Sequence, residues 1–117
     1  MDDEAEMTPD ELLARLVTLF PDFAEHWSAD DGTFTACDAF AELSQFVRER
    51  YEELPVERLQ ALGWILAECM ADPDSDLDEA TATCFLENVA AERFHDDFKR
   101  FLIGRPLEFY AQFDEGF

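Results

Sequence analysis

Apolar residues recur at intervals of three and four along most of the chain, and no stretch alternates polar and apolar positions for long, so the pattern predicts helices and no sheet. Thr8, Pro9, Asp10 and Glu11 open the first helix, with Thr as N-cap, Pro at the first helical position and Glu placed to close a capping box. Leu12, Leu16, Leu19 and Phe20 share its inner face, and Pro21 stops it. Asp22 to Trp27 has room for one further turn, and Ser28 to Thr33, with Asp30, Asp31 and Gly32, reads as a loop. After Thr35, the positions Ala36, Phe40, Leu43, Val47 and Tyr51 place a second long helix, with Glu42, Arg48, Glu49 and Glu52 facing away.

Pro55 starts the next helix. Its Leu59, Leu62, Trp64, Ile65, Leu66, Cys69 and Met70 leave little polar surface, so it is predicted to be the central and most buried one. Asp72 and Pro73 end it, and Ser75 or Asp76 caps a fourth helix with Leu77, Thr81, Cys84, Phe85 and Val89 inward. Phe94, Phe98, Phe101 and Leu102 carry the pattern to Gly104, a predicted left-handed stop. A last helix begins near Pro106 and repeats Phe109, Phe113 and Phe117 every four residues. The expected fold is all-α: a compact antiparallel bundle of five to six helices, whose pairs can also stack in a solenoid-like manner. Residues 1–7 are expected to be a disordered acidic N-terminus and 8–117 a single helical domain.

Composition adds electrostatics to this outline. At 117 residues and 48% hydrophobic content the chain can build one core, hiding about two-thirds of its unfolded surface. Against 29 acidic side chains stand 8 basic ones, a net charge of −21. Such a body repels nucleic acid and anionic membranes, and associates fastest with a cationic protein. The acids run through the whole chain and are not gathered in a tail.

The densest cluster lies between Asp72 and Glu79. Asp74, Asp76 and Asp78 have the spacing that opens a calcium loop, but Glu79 stands where that loop turns on Gly, and Phe85 where a bidentate Glu closes it. Carboxylates at a helix start, facing unpaired N–H groups and the positive end of the dipole, explain the cluster more simply. His26 and His95 have no second ligand at metal spacing. His95 beside Asp96 and Asp97 has the makings of a base, yet its place ahead of a helix reads as a cap or a surface group. No phosphate-cradling loop or nucleophile motif occurs, and only 4 Gly are present, so no enzyme, cofactor or metal is expected.

Cys37, Cys69 and Cys84 are odd in number, widely spaced and set in apolar helical contexts, which reads as reduced, buried thiols in a cytoplasmic protein. The first seven residues are acidic, unlike a signal peptide, and no apolar run reaches membrane-span length. Asn88 is expected to tether helices. Phe109, Tyr110 and Phe113 are expected to be core or a docking face, giving a monomer or a weak homodimer.

"CFLEN", Cys84 to Asn88, and "FLIGRPLEFYAQFD", Phe101 to Asp114, resemble a family of short bacterial helical proteins of unassigned function. The likeness runs from "LFPDF" at Leu19 to the end, with Ile103 between Leu102 and Gly104 in the family's Leu-Gly turn. Such proteins are similar to the immunity partners of bacterial polymorphic toxins. The resemblance implies a domain that binds and neutralises a cognate toxin and assigns no residues. The charge pattern places the expected partner surface on Asp30, Asp31, Asp74, Asp76, Asp78 and Glu79, with an aromatic anchor nearby. The alternative is a nucleic-acid mimic that inhibits a DNA-binding protein through two rows of carboxylates at phosphate-like spacing.

Overall fold

Helix starts are where the chain's local chemistry is most explicit. In the computed structural model, which describes residues 7–26, 34–73 and 75–116, Thr8 caps α1 (Pro9–Leu19). Its hydroxyl accepts the Glu11 N–H, and the Glu11 carboxylate accepts the Thr8 N–H. Thr35 and Asp38 form the same reciprocal box at the start of α3 (Ala36–Arg50). Between them α2 (Phe23–His26) is the single turn expected after Pro21.

A short 3-10 turn, Tyr51–Glu53, leads through Pro55 into α4 (Val56–Cys69). Next, α5 (Asp76–Ala80), a π-helical turn (Thr81–Leu86) and α6 (Glu87–Ala90) form one rod. α7 (His95–Lys99) and α8 (Gly104–Gly116) complete the fold, and no strand occurs among the described residues. Gly104 has φ of 63°, the left-handed turn predicted at that position. With the rod counted once, the described residues hold seven helices rather than five or six. The short ones are α2, the turn expected after Pro21, and α7, which lies within the Phe94–Leu102 stretch that the sequence pattern carries on to Gly104.

The core is organised by aromatic rings. Phe20 and Phe23 meet Phe46 at 5.7 and 5.5 Å, fastening α1 and α2 to α3. Phe40 meets Phe85 at 5.9 Å, Phe85 meets Phe98 at 6.1 Å, and Phe98 meets Tyr110 at 6.1 Å, joining α3 through the rod and α7 to α8. Such pairs add about 0.5–1.5 kcal/mol each beyond the area they bury. Asn88 does tether helices: its amide donates to the Cys84 carbonyl at 2.7 Å and reaches Ser44 of α3 at 3.4 Å. The radius of gyration, 13.6 Å, is close to the value of about 13 Å for a compact chain of this length.

Two expectations are corrected. The central pair is α3 and the 76–90 rod, whereas α4 keeps an open flank of Val56, Glu57, Gln60, Trp64 and Glu68. Trp64 is 67% exposed. Leu62, Gly63, Trp64, Ile65 and Leu66 are five successive non-polar residues, and a helix cannot aim five in a row at one neighbour. Leu62, Ile65, Leu66 and Cys69 take the inner stripe, Gly63 packs on the Phe101 backbone, and Trp64 is left outside.

The cysteines are the second correction. Cys69 is a buried free thiol, but Cys37 and Cys84 form a disulfide across a separation of 47 residues, and Cys37 is exposed. The first turn of α3 lies against the π-helical turn, bringing the two Cα atoms to 5.4 Å, a spacing that suits the bond. Persistent disulfides belong to oxidising compartments, so the cytoplasmic expectation, which rested on three reduced thiols, loses that support. No helix among the described residues is long and apolar enough to cross a membrane. Residues 1–6 lie outside the described residues, and Met7 packs partly buried against the core.

Candidate functional site

The acidic cluster begins with Ser75, not with a carboxylate, as the cap. Its hydroxyl accepts the Asp78 N–H at 3.0 Å and donates to the Asp72 carbonyl at 2.9 Å. Asp76, Asp78 and Glu79 therefore sit in the first turn of α5, where the helix dipole favours negative charge.

From there the three carboxylates diverge. Asp78 turns inward, is 7% exposed, and accepts the Arg105 guanidinium at 2.8 and 3.2 Å. Arg105 also donates to the Met70 carbonyl at 3.0 Å. This cluster locks the start of the rod to the end of α4 and the first turn of α8. Asp76 and Glu79 face solvent and line an open depression of about 380 Å³ with Thr35, Ala36, Ala80 and Thr83. The disulfide forms part of its wall. Thr83 donates its hydroxyl to the Glu79 carbonyl at 2.8 Å. Asp30, Asp31 and Asp74 lie outside the described residues. Of the expected partner surface, then, Asp76 and Glu79 are brought together on a corner braced by a covalent bond, and Asp78 is spent on the brace.

Cations that would neutralise this surface are already held within the chain. Arg15 pairs with Glu68 at 2.9 Å, Arg48 with Glu92 at 3.0 Å, Arg50 with Asp22 at 3.3 Å, and Arg100 with Asp97 at 3.4 Å. Arg93 donates to Glu52 at 3.1 Å and holds that carboxyl below its ordinary range. Arg58 donates to the Leu19 carbonyl at the end of α1, and Arg105 is bound as described. All seven arginines are thus engaged by acceptors of this chain.

The His95 ring stacks on Tyr110 at 4.5 Å, and its Nδ1 lies 2.7 Å from the Ala90 carbonyl. Asp97 accepts the hydroxyl of Tyr51. Burial pushes the Tyr51 phenol above its ordinary range, and the Asp97 hydrogen bond and charge push the same way. Among the described residues no group of three or more His, Cys, Asp or Glu is placed to hold a metal ion. Asp78, the third member of the calcium-like spacing, is turned to Arg105.

Sequence reasoning missed the Cys37–Cys84 pairing and the exposure of Trp64. The second had a signal, since Gln60 and Glu68, four residues to either side of Trp64, mark the outer face of α4. The first had none, because pairing across 47 residues follows from helix packing alone.

Fold and site together define an all-helical, strongly anionic domain whose braced corner offers carboxylates to solvent. No family model, curated protein or solved structure matches the chain.

Proposed function

We propose that this chain is an immunity protein, which binds and neutralises a cognate toxin by presenting carboxylates to a basic cleft. The observation that carries this reading is the pair Asp76 and Glu79, exposed on a corner fixed by the Cys37–Cys84 bond and the Asp78–Arg105 pair. A preorganised charged corner loses little conformational freedom on binding. The net charge of −21, with every arginine engaged internally, supplies long-range attraction to a cationic partner and fast association.

The test is co-expression with the product of an adjacent toxin-like reading frame. The parent chain is expected to restore growth. The double variant Asp76→Lys/Glu79→Lys is expected to lose that protection while keeping its fold by circular dichroism, with association slowed about tenfold or more. If the parent gives no rescue and no complex survives moderate salt, the reading is wrong.

A further inference from the structure

The bond between Cys37 and Cys84 lies at the surface. Cys37 is exposed, Cys84 is partly buried, and both line the open depression of about 380 Å³ that Asp76 and Glu79 also line. A thiol from solvent therefore has room to approach the sulfurs. The third cysteine stands apart. Cys69 is 2% exposed, and burial with the charge of Glu68 pushes its thiol up to about 12. Because the thiolate is the form that attacks a disulfide, Cys69 is kept out of exchange, and Cys37 and Cys84 have only each other to pair with. The helices joined by the bond also have other ties. Phe40 of α3 meets Phe85 of the rod at 5.9 Å, Asn88 reaches Ser44 at 3.4 Å, and Asp78 holds Arg105 at 2.8 Å. Opening the bond frees the first turn of α3 from the π-helical turn and leaves these contacts in place.

We infer that the Cys37–Cys84 bond is a reversible thiol–disulfide switch, which fixes the acidic corner when oxidised and releases it when reduced, and that Asp76 and Glu79 select cationic thiols as its reductants. The switch acts on the corner whatever partner the corner takes, so it stands apart from the immunity role. A thiolate of the reductant attacks the sulfur of Cys37, the more exposed of the two residues. The S–S bond breaks and its electron pair leaves on Cys84, which takes a proton from water. The Thr83 hydroxyl, 3.6 Å from that sulfur, is placed to hydrogen-bond the departing thiolate. A second thiol then attacks the reductant's sulfur in the mixed disulfide and releases Cys37. Two thiols are thus oxidised to one disulfide while the chain gains two electrons and two protons. Attack by an anion is opposed by the two carboxylates of the depression and by the net charge of −21. A reductant that carries an ammonium group offsets this repulsion, whereas one that carries a sulfonate adds to it.

In native buffer, dithiothreitol followed by a maleimide and mass spectrometry is expected to label Cys37 and Cys84 and to leave Cys69 unlabelled, with the circular dichroism of the parent retained. Amide hydrogen exchange is expected to quicken about tenfold or more around Cys37 and Cys84 and to stay unchanged in α4. Hydroxyethyl disulfide should then restore the same pair. Cysteamine and mercaptoethanesulfonate test the selection, each rate being divided by that thiol's rate toward hydroxyethyl disulfide. Cysteamine is expected to open the bond about tenfold or more faster at low salt. The gap should narrow in high salt, which screens the carboxylates, and in Asp76→Asn/Glu79→Gln, which neutralises them. A bond that opens only in denaturant, a chain that unfolds on reduction, labelling of Cys69 in native buffer, or exchange unchanged around Cys37 and Cys84 overturns the switch. Equal rates for the two thiols, or a gap that Asp76→Asn/Glu79→Gln leaves as it was, overturns the selection.

Discussion

Gly63 is the position at which a side chain of any size is excluded. A Cβ there would lie 2.0 Å from the Phe101 carbonyl oxygen, and that neighbour is backbone, unable to swing aside. Gly63→Ala must therefore push α4 away from the turn before α8, at an expected cost of about 1–3 kcal/mol. A urea midpoint unchanged from the parent would show that the contact is not so close. One residue on, Trp64→Ala should stay within about 0.5 kcal/mol, since a mostly solvated side chain contributes little to the fold. Adjacent residues in one apolar run thus have opposite roles: Gly63 holds the fold and Trp64 is surplus to it. The sequence marks both as non-polar, and only the direction in which each Cβ points separates them.

The element most unlike its sequence pattern is the 76–90 rod. Its ends are α-helical, but Thr81–Leu86 winds as a π-turn, which shifts the register of everything after it. Phe85, Leu86, Val89 and Ala90 are consequently all buried, and Cys84 comes to lie at the first turn of α3. The resulting disulfide closes a loop of 47 residues. Removing a link of that span, by reductant or by Cys37→Ser/Cys84→Ser, is expected to lower stability by about 2–4 kcal/mol. Urea midpoints with and without reductant measure it, and thiol labelling in denaturant should find one free cysteine before reduction and three after. A midpoint insensitive to reductant would mean that the bond does not brace the rod. The helix starts at Thr8, Thr35 and Ser75 were legible beforehand because caps are local chemistry. The bond was not, because it depends on which helices become neighbours.

At the scale of the whole molecule, two buried acids tie stability to pH. Burial, reinforced by the charge of Glu68, pushes the Cys69 thiol up to about 12, and burial with Asp97 raises the Tyr51 phenol as well. Each is neutral in the folded chain, while the unfolded chain ionises it at its ordinary value. Above that value the unfolded state binds fewer protons, so stability is fully present near neutrality and falls as pH rises through the ordinary thiol and phenol range. Each group contributes a slope of at most about 1.4 kcal/mol per pH unit. Urea midpoints from neutral to alkaline pH should decline in the parent and decline less in Cys69→Ser and in Tyr51→Phe; equal slopes in all three would remove the explanation. What the sequence determined by itself is what depends on neighbours along the chain: the all-helical class, the capped starts, the left-handed Gly104 and the anionic surface. Tertiary structure alone decided that α3 and the rod are central, that Asp78 turns inward to Arg105 while Asp76 and Glu79 stay out, that Cys37 meets Cys84, and that Trp64 is left in solvent. The physical reason is that periodicity defines a helix face but not its neighbour, and both burial and pairing are properties of the neighbour.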